Sequence, residues 1–251
     1  MTLPADTYEA AVATVKAASR EGIPLKLIGG QAVRYLTPTY PPRVRNGQDM
    51  DFASVSSAKK QVMELLAALG FEGDRRFNIM HGHRQMYFQS LASGTAVDVV
   101  MDQLQMCHVL PFKDRISRMP GTLDVTDLLL SKLQVVEQNE KDVHDIVYLL
   151  AAFEVRDGDE PGTVGLARFG AVVAGDWGWW RTVTGNLDRV ADLVRGDLAR
   201  LVPLGAAHDP VEQALTLRRH ADAAPKSLKW KLRARVGERV QWYELPEEVA
   251  H

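Results

Sequence analysis

The sequence contains a single cysteine, Cys107, which excludes an internal disulfide framework and leaves a hydrophobic core to hold the fold. The 251 residues are 46% hydrophobic and 25% charged, which is ordinary for a globular protein with a sizeable core. A lone cysteine also fits a reducing compartment. We therefore expect a cytoplasmic location.

Long apolar runs are missing as well, and so is a large excess of either positive or negative charge. No stretch approaches the roughly 18 uninterrupted apolar residues of a membrane span, and residues 1–22 are typical of an amphipathic helix without the apolar centre of a signal peptide. The formal net charge is -2, so no global basic field indicates nucleic-acid binding. We expect a soluble protein with no membrane partner.

The hydrophobic pattern changes near the middle of the chain. Helical and strand-like segments alternate up to residue 102, and the strand candidates are residues 25–30, 49–55, 84–91 and 95–102. From Val125 onward the pattern is helical. The sequence predicts an α+β fold in which a small mixed sheet with flanking helices is followed by a helical C-terminal half.

We predict three regions along the chain. An α/β domain covers residues 1–120, a helical extension covers 121–155, and a helical C-terminal region covers 156–251. The last boundary rests on the polar, glycine-rich stretch RDGDEPG at 156–162.

The stretch RNGQDMDF (45–52) places two acidic side chains two positions apart at the start of a strand. Alternate residues of a strand face the same side, so Asp49 and Asp51 project together while Met50 and Phe52 point into the opposite layer. Carboxylates that close repel each other unless a cation or a proton intervenes. Taken alone, such a pair is more often a solvated strand end than a metal site.

A third acid, Asp98, lies within AVDVVMD between two valines, where a charge needs a partner. If the two acidic strands are neighbours, the carboxylates of Asp49, Asp51 and Asp98 converge. Carboxylate oxygens are the ligands that Mg²⁺ prefers. Two such ions can stabilise the attacking and leaving oxygens of a phosphoryl transfer.

Gly29 and Gly30 separate a strand from a short helix upstream of the acidic strand. Glycine lets the backbone approach a phosphate closely, and a helix N-terminus favours negative charge. A tight turn needs glycine just as much. The order of strand, glycine pair, helix and acidic strand is what makes the two residues candidates for phosphate binding.

These motifs together resemble the polymerase β-type nucleotidyltransferase superfamily, whose members carry GG or GS at a strand–helix turn, D-x-D on the next strand and a third Asp on a later strand. Within it the chain is most similar to the AbiEii-type toxin nucleotidyltransferases and their uncharacterised relatives. Those carry R-x-T-x-D-I-D, where this chain has Arg45 through Asp51. Arg45 matches, whereas Gly47 stands where Thr is usual.

A second pair of motifs extends the resemblance to roughly residues 20–152. The family's D-L-L-x-x-K and K-D-x-x-D-I-x-x-L-L correspond to residues 127–132 and 141–150. The resemblance implies that Lys132 contacts the triphosphate and that Asp142 or Asp145 helps to close the site. Lys132 equally fits a solvated helix face, and the acids equally fit the start of a helix, whose positive end favours them.

The resemblance implies Mg-dependent transfer of a nucleoside monophosphate from an NTP to a hydroxyl acceptor, either RNA such as tRNA or a small molecule. Two Mg ions would be held by Asp49, Asp51 and Asp98. Asp98 and Lys132 would be catalytic, and the nucleotide would be bound by Gly29, Gly30, Arg45 and Lys132. Residues 121–155 would complete this site, and the toxin relatives suggest an antitoxin partner. The alternative, which Gly47 favours, is a non-catalytic nucleotide-binding or regulatory protein with a degenerate nucleotidyltransferase fold.

Two segments near the C-terminus combine tryptophan with charge. Residues 224–249 place Trp230 and Trp242 among six basic side chains, Lys226, Lys229, Lys231, Arg233, Arg235 and Arg239. A segment of this composition could bind RNA or another phosphate-rich partner. A solvated helix face that covers the core is the more common explanation of such a segment. The cluster WGWWR at 177–181 most simply packs between helices.

Overall fold

The computed structural model describes residues 3–42 and 49–245. The chain divides into two compact units. The first unit comprises residues 1–104 and 111–124, and the second comprises 105–110 and 125–251. The α+β class is confirmed: a five-stranded mixed sheet with flanking helices precedes a helical C-terminal half.

The first unit contains every strand of the main sheet. Its elements are α1 (Thr7–Arg20), β1 (Lys26–Leu27), α2 (Gly29–Leu36), β2 (Met50–Ser54), α3 (Lys59–Ala68), β3 (Phe71–Gly73), α4 (Arg75–Met80), β4 (Gln85–Ser90) and β5 (Ala96–Met101). The strand order is β1-β2-β5-β4-β3. Only the β2–β5 pair is parallel among these neighbours; the others are antiparallel.

The sheet buries one face and leaves the other partly open. Along β5 the side chains alternate strictly between half-buried and buried positions, with Val97 and Val99 fully buried. Phe52 of β2 and Met86 of β4 are also fully buried. This alternation is the pattern expected of a sheet packed on one side. It confirms that Phe52 and its neighbour Met50 point into the core.

Two elements of the first unit are not predicted from the sequence. The predicted hairpin of residues 84–91 and 95–102 forms as β4 and β5, but β3 and α4 lie in a stretch for which the pattern predicts neither strand nor helix. Each has only three to six residues. A helical or strand period cannot be recognised over so short a run.

The second unit is built from helices. After β5 the chain forms β6 (Gln103–Gln105) and β7 (Val109–Pro111), and there follow α5 (Val125–Leu133), α6 (Glu140–Ala152), β8 (Val155–Arg156), β9 (Val164–Gly165), α7 (Leu166–Val173), α8 (Trp177–Arg195), α9 (Pro210–Ala223) and α10 (Leu228–Val236). Helix α8 packs against α5, α7 and α9. The three-region division at residues 120 and 155 stays a prediction. Over the described ranges, no helix combines the length and apolarity needed to cross a bilayer.

Asp102 ties the end of β5 to its surroundings. It has a φ of 63°, and no other non-glycine residue in the described ranges has a positive φ. Its carboxylate accepts a hydrogen bond from the Ser56 backbone N–H at 3.0 Å and lies 3.7 Å from the Lys113 ammonium. Burial would raise the pKa of Asp102, but the hydrogen bonds from Ser56 and the charge of Lys113 outweigh it and bring this pKa below 3.8.

The variants Asp102→Asn and Asp102→Ala should separate backbone strain from charge. Asn tolerates a positive φ, so the Ala variant should lose about 1–2 kcal/mol more of the unfolding free energy. Because the folded pKa of Asp102 is depressed, its charge stabilises the protein above about pH 3.8, and this contribution is lost as pH falls. Urea denaturation at pH 7 and pH 3 should therefore show the wild type and Asp102→Asn converging at low pH. A constant difference would contradict this role for the charge.

Candidate active site

Three polar side chains form a row across the partly open face of the sheet. Asp51 on β2 is the register partner of Asp98 on β5, and Asp98 is the register partner of Tyr87 on β4. All three are half-buried. Neighbouring strands lie about 4.8 Å apart, so the two carboxylates stand side by side. The acidic strands are therefore neighbours, as the convergence of Asp51 and Asp98 requires.

Asp49 adds a further charge at the edge of this row. It is exposed and lies immediately before β2, and its carbonyl accepts a hydrogen bond from Gln31 of α2 at 3.3 Å. Burial raises the pKa of Tyr87, and the charges of Asp98 and Asp49 raise it further. The negative charges of both carboxylates therefore act on the Tyr87 hydroxyl, which keeps its proton at neutral pH.

Two amide side chains hold the row in place. Gln85 donates a hydrogen bond through Nε2 to Asp98 Oδ1 at 2.5 Å. Asn78 of α4 is buried and bonds the backbone of Tyr87 twice: its Nδ2 donates to the Tyr87 carbonyl at 2.9 Å, and its Oδ1 accepts from the Tyr87 N–H at 2.7 Å. Gln85, Tyr87 and Asn78 are not among the site residues that the sequence predicts. The two-residue period of the predicted hairpin could have placed Gln85 and Tyr87 on one face, but not opposite Asp98.

The first turn of α2 lies directly against Asp51. Gly29 has a φ of 64°, and a Cβ atom on it would stand 2.9 Å from Asp51 Oδ2. The N–H of Ile28 donates to the Asp51 carbonyl at 3.0 Å. Ile28 is the N-cap of α2 and makes no side-chain cap hydrogen bond. Gly29 is thus required both for its backbone conformation and for the close approach, and Gly30 continues the same helical turn.

The donor atoms of the row suit a hard cation. Asp51 and Asp98 offer carboxylate oxygens, which Mg²⁺ prefers over nitrogen or sulfur. In the part of the chain that the structure describes, however, no three His, Cys, Asp or Glu side chains form a group that could hold one ion. The site of three carboxylates stays a prediction, and the strand pairing accounts for two of its members.

The remaining predicted residues lie outside the first unit's sheet or outside the described ranges. In the second unit, the Lys132 ammonium is 2.8 Å from Asp145 Oδ2 and 3.5 Å from Asp142 Oδ1, and all three side chains are mostly buried. Asp142 also forms a capping box with Asn139 at the start of α6. Their roles towards a nucleotide stay predictions. Arg45 lies outside the described residues.

Comparison with known proteins leaves the family open. No family model and no curated protein matches the chain. Among solved structures, an antigenic nucleotidyltransferase-like protein from Paracoccidioides brasiliensis is similar with a TM-score of 0.40 and 15% sequence identity. The match covers 80% of this chain and 94% of that one. A likeness of that size does not establish a shared family.

Replacement of Gly29 by alanine should reveal its contact with Asp51. Gly22→Ala is the matched control, since Gly22 has a similar φ of 69° but nothing within 4 Å of an added Cβ. Both variants should lose about 1 kcal/mol or more through backbone strain. Gly29→Ala should lose about 1 kcal/mol further because the Asp51 carboxylate has to move. Urea unfolding midpoints measure both losses, and equal destabilisation would contradict the close approach.

Proposed function

We propose that the protein is a nucleotidyltransferase, which moves a nucleoside monophosphate from an NTP to a hydroxyl acceptor. The observation that carries this proposal is the pairing of Asp51 with Asp98 on adjacent parallel strands, beside the glycine turn that opens α2. Carboxylates gathered next to an uncapped helix N-terminus suit a metal-bound polyphosphate. The carboxylates hold the cation, and the helix N-terminus favours the phosphate charge.

The residues of the first unit divide into two roles. Asp49, Asp51 and Asp98 would hold Mg²⁺, and the first turn of α2 at Gly29 and Gly30 would face the phosphates. Bound Mg²⁺ supplies positive charge that offsets the phosphate oxygens and the developing charge of the leaving pyrophosphate. Lys132 and Arg45 are proposed as further nucleotide contacts on the motif resemblance alone.

Asp98 is proposed to accept the proton of the acceptor hydroxyl as that oxygen attacks the α-phosphorus and pyrophosphate leaves. Gln85 Nε2 donates a hydrogen bond to Asp98 Oδ1 and so orients this carboxylate. Tyr87 stays protonated beside it and can donate a hydrogen bond to an incoming oxygen. Most of the rate would come from positioning and electrostatic stabilisation.

The acceptor is proposed as either RNA, such as tRNA, or a small hydroxylated molecule. The resemblance to toxin-type relatives suggests RNA and, with it, an antitoxin partner. The net charge of -2 favours neither class.

Asparagine in place of Asp51 or of Asp98 should reduce transfer by about 10²-fold or more, because each change removes a negative oxygen donor, and at Asp98 also the proposed base. Glu72→Gln is the matched control, since Glu72 is an exposed acid on β3 of the same sheet. The assay incubates each variant with α-labelled NTPs, Mg²⁺ and either total RNA or a panel of small alcohols. Wild-type transfer by Asp51→Asn would refute the site.

The same preparation tests the non-catalytic alternative, for which Gly47 is the observation in favour. Calorimetric titration with NTPs, with and without Mg²⁺, measures binding independently of transfer. Mg-dependent binding without transfer to any acceptor would favour a nucleotide-binding or regulatory protein. Absence of both would reject both functions.

Gln85→Leu should lower kcat/KM about tenfold, because leucine cannot donate the hydrogen bond that orients the Asp98 carboxylate towards the acceptor hydroxyl. Gln89→Leu is the control, because Gln89 is on the same strand but donates to the Gly94 carbonyl instead. Equal activity of Gln85→Leu and Gln89→Leu would contradict this positioning role.

A further inference from the structure

The second unit contains a cavity that the proposed transfer reaction does not use. It has a volume of about 620 Å³ and lies between the start of α8, helix α10 and residues 241–244. Four of the protein's five tryptophans line it: Trp177, Trp179, Trp230 and Trp242. Pockets of this size hold small organic ligands. Trp177 and Trp179 are buried, whereas Trp230 and Trp242 are half-buried and offer ring surface on which a planar aromatic ligand can stack.

The aromatic wall is fixed before any ligand arrives. Trp242 donates through Nε1 to the Thr182 hydroxyl at 3.0 Å, and that hydroxyl is also hydrogen-bonded to His108 Nε2 at 2.9 Å. Burial lowers the pKa of His108 to about 4, which the charges of Asp176 and Glu244 offset only in part. His108 is therefore neutral at physiological pH. Trp177 meets Trp242 edge-on, with ring centroids 5.8 Å apart.

The cavity is bordered on one side by positive charge. Lys229 and Arg233 of α10 line it, and the Arg233 guanidinium lies 4.6 Å from the centroid of the Trp177 ring. Helix α10, with the sequence LKWKLRARV, contains no acidic residue. Lys229 is exposed and has no carboxylate partner among the described residues. Its ammonium is available to an anion at the mouth of the cavity.

Two acids also line the cavity, and both already accept hydrogen bonds within the fold. Asp176 is the N-cap of α8 and accepts from the Trp179 N–H at 3.1 Å, while Glu244 accepts from Gln105 Nε2 at 3.1 Å. A carboxylate accepts more than one hydrogen bond. Both acids can therefore also accept from the exocyclic amino group of a heterocycle.

We propose that this cavity binds a nucleobase together with its phosphate, the base stacking on the indole rings and the phosphate lying at Lys229. Stacking of a base on an aromatic side chain contributes about 1–3 kcal/mol and suits any base. A lysine ammonium binds phosphate as a point charge. A free nucleotide and a single-stranded RNA both present this chemistry. The site is made entirely of second-unit residues, so it does not depend on the transfer chemistry assigned to the first unit.

Tryptophan fluorescence of the full chain tests the proposal. The titrants are AMP, a short single-stranded oligoadenylate, adenosine and inorganic phosphate. EDTA is present throughout, and the background is the double variant Asp51→Asn, Asp98→Asn, so that a metal-bound nucleotide in the first unit contributes nothing. AMP or the oligoadenylate should quench the fluorescence saturably, while adenosine should bind more weakly because it lacks the phosphate.

Two pairs of variants locate the binding. Lys229→Gln should weaken binding about two- to fivefold, the range expected for one exposed charge pair. Lys231→Gln removes the same charge from the same helix, but Lys231 does not line the cavity, so it should have little effect. Trp242→Leu should weaken binding roughly fivefold to a hundredfold, and Trp242→Phe should retain most of it. If Trp242→Leu fails to fold, the comparison of Lys229→Gln with Lys231→Gln and the binding by Trp242→Phe still test the site.

Each outcome decides for or against the site. Binding of AMP with the expected variant pattern supports the site and identifies a free nucleotide, whereas binding of the oligoadenylate alone supports it and identifies RNA. Equal losses in Lys229→Gln and Lys231→Gln, or equal binding of inorganic phosphate and AMP, would reduce the effect to general charge attraction and overturn the proposal. No quenching by either nucleotide titrant would also overturn it.

Discussion

The parallel pairing of β2 with β5 is the constraint on which the first unit depends. Parallel neighbours cannot be joined by a tight turn, so the chain passes through α3, β3, α4 and β4 before β5 enters the sheet between β2 and β4. This insertion places Asp98 between Asp51 and Tyr87. A slip of one residue in the register would turn every side chain of β5 to the other face.

The pairing brings two negative charges together, and the buried face of the sheet outweighs their repulsion. At about 5 Å and an effective dielectric constant of about 20, two like charges repel by about 3 kcal/mol. Burial of one large apolar side chain stabilises the fold by about 1.5–3 kcal/mol, and the opposite face buries several, among them Phe52, Met86 and Val99. The fold can therefore hold the carboxylates side by side. Titratable side chains gathered in this way are typical of functional sites.

The sequence allowed the α+β class and the core face of β2 to be predicted because both follow from local periodicity. Met50 and Phe52 are buried as the alternation requires. The row of Asp51, Asp98 and Tyr87 could be predicted only in part. The residue pattern of a strand does not determine its pairing register with a strand far away in the chain. Gln85 and Asn78 escaped for the same reason. The contact of Gln85 with Asp98 becomes recognisable only when β4 and β5 are aligned, and the contact of Asn78 with Tyr87 only when α4 packs against β4.

The contacts that hold helix α10 could not be predicted from its sequence pattern. Its basic, tryptophan-containing sequence fitted a solvated helix covering the core, yet none of its residues is buried. The helix is held instead by polar and aromatic contacts: Arg233 donates to the carbonyls of Gly237 and Val240 and lies over Trp177. Trp230 meets Trp180 edge-on at 5.4 Å. Of the six basic side chains in residues 224–249, Lys229 and Arg233 line the cavity together with Trp230 and Trp242. Core packing does not account for these four residues, and the proposed anionic aromatic ligand does.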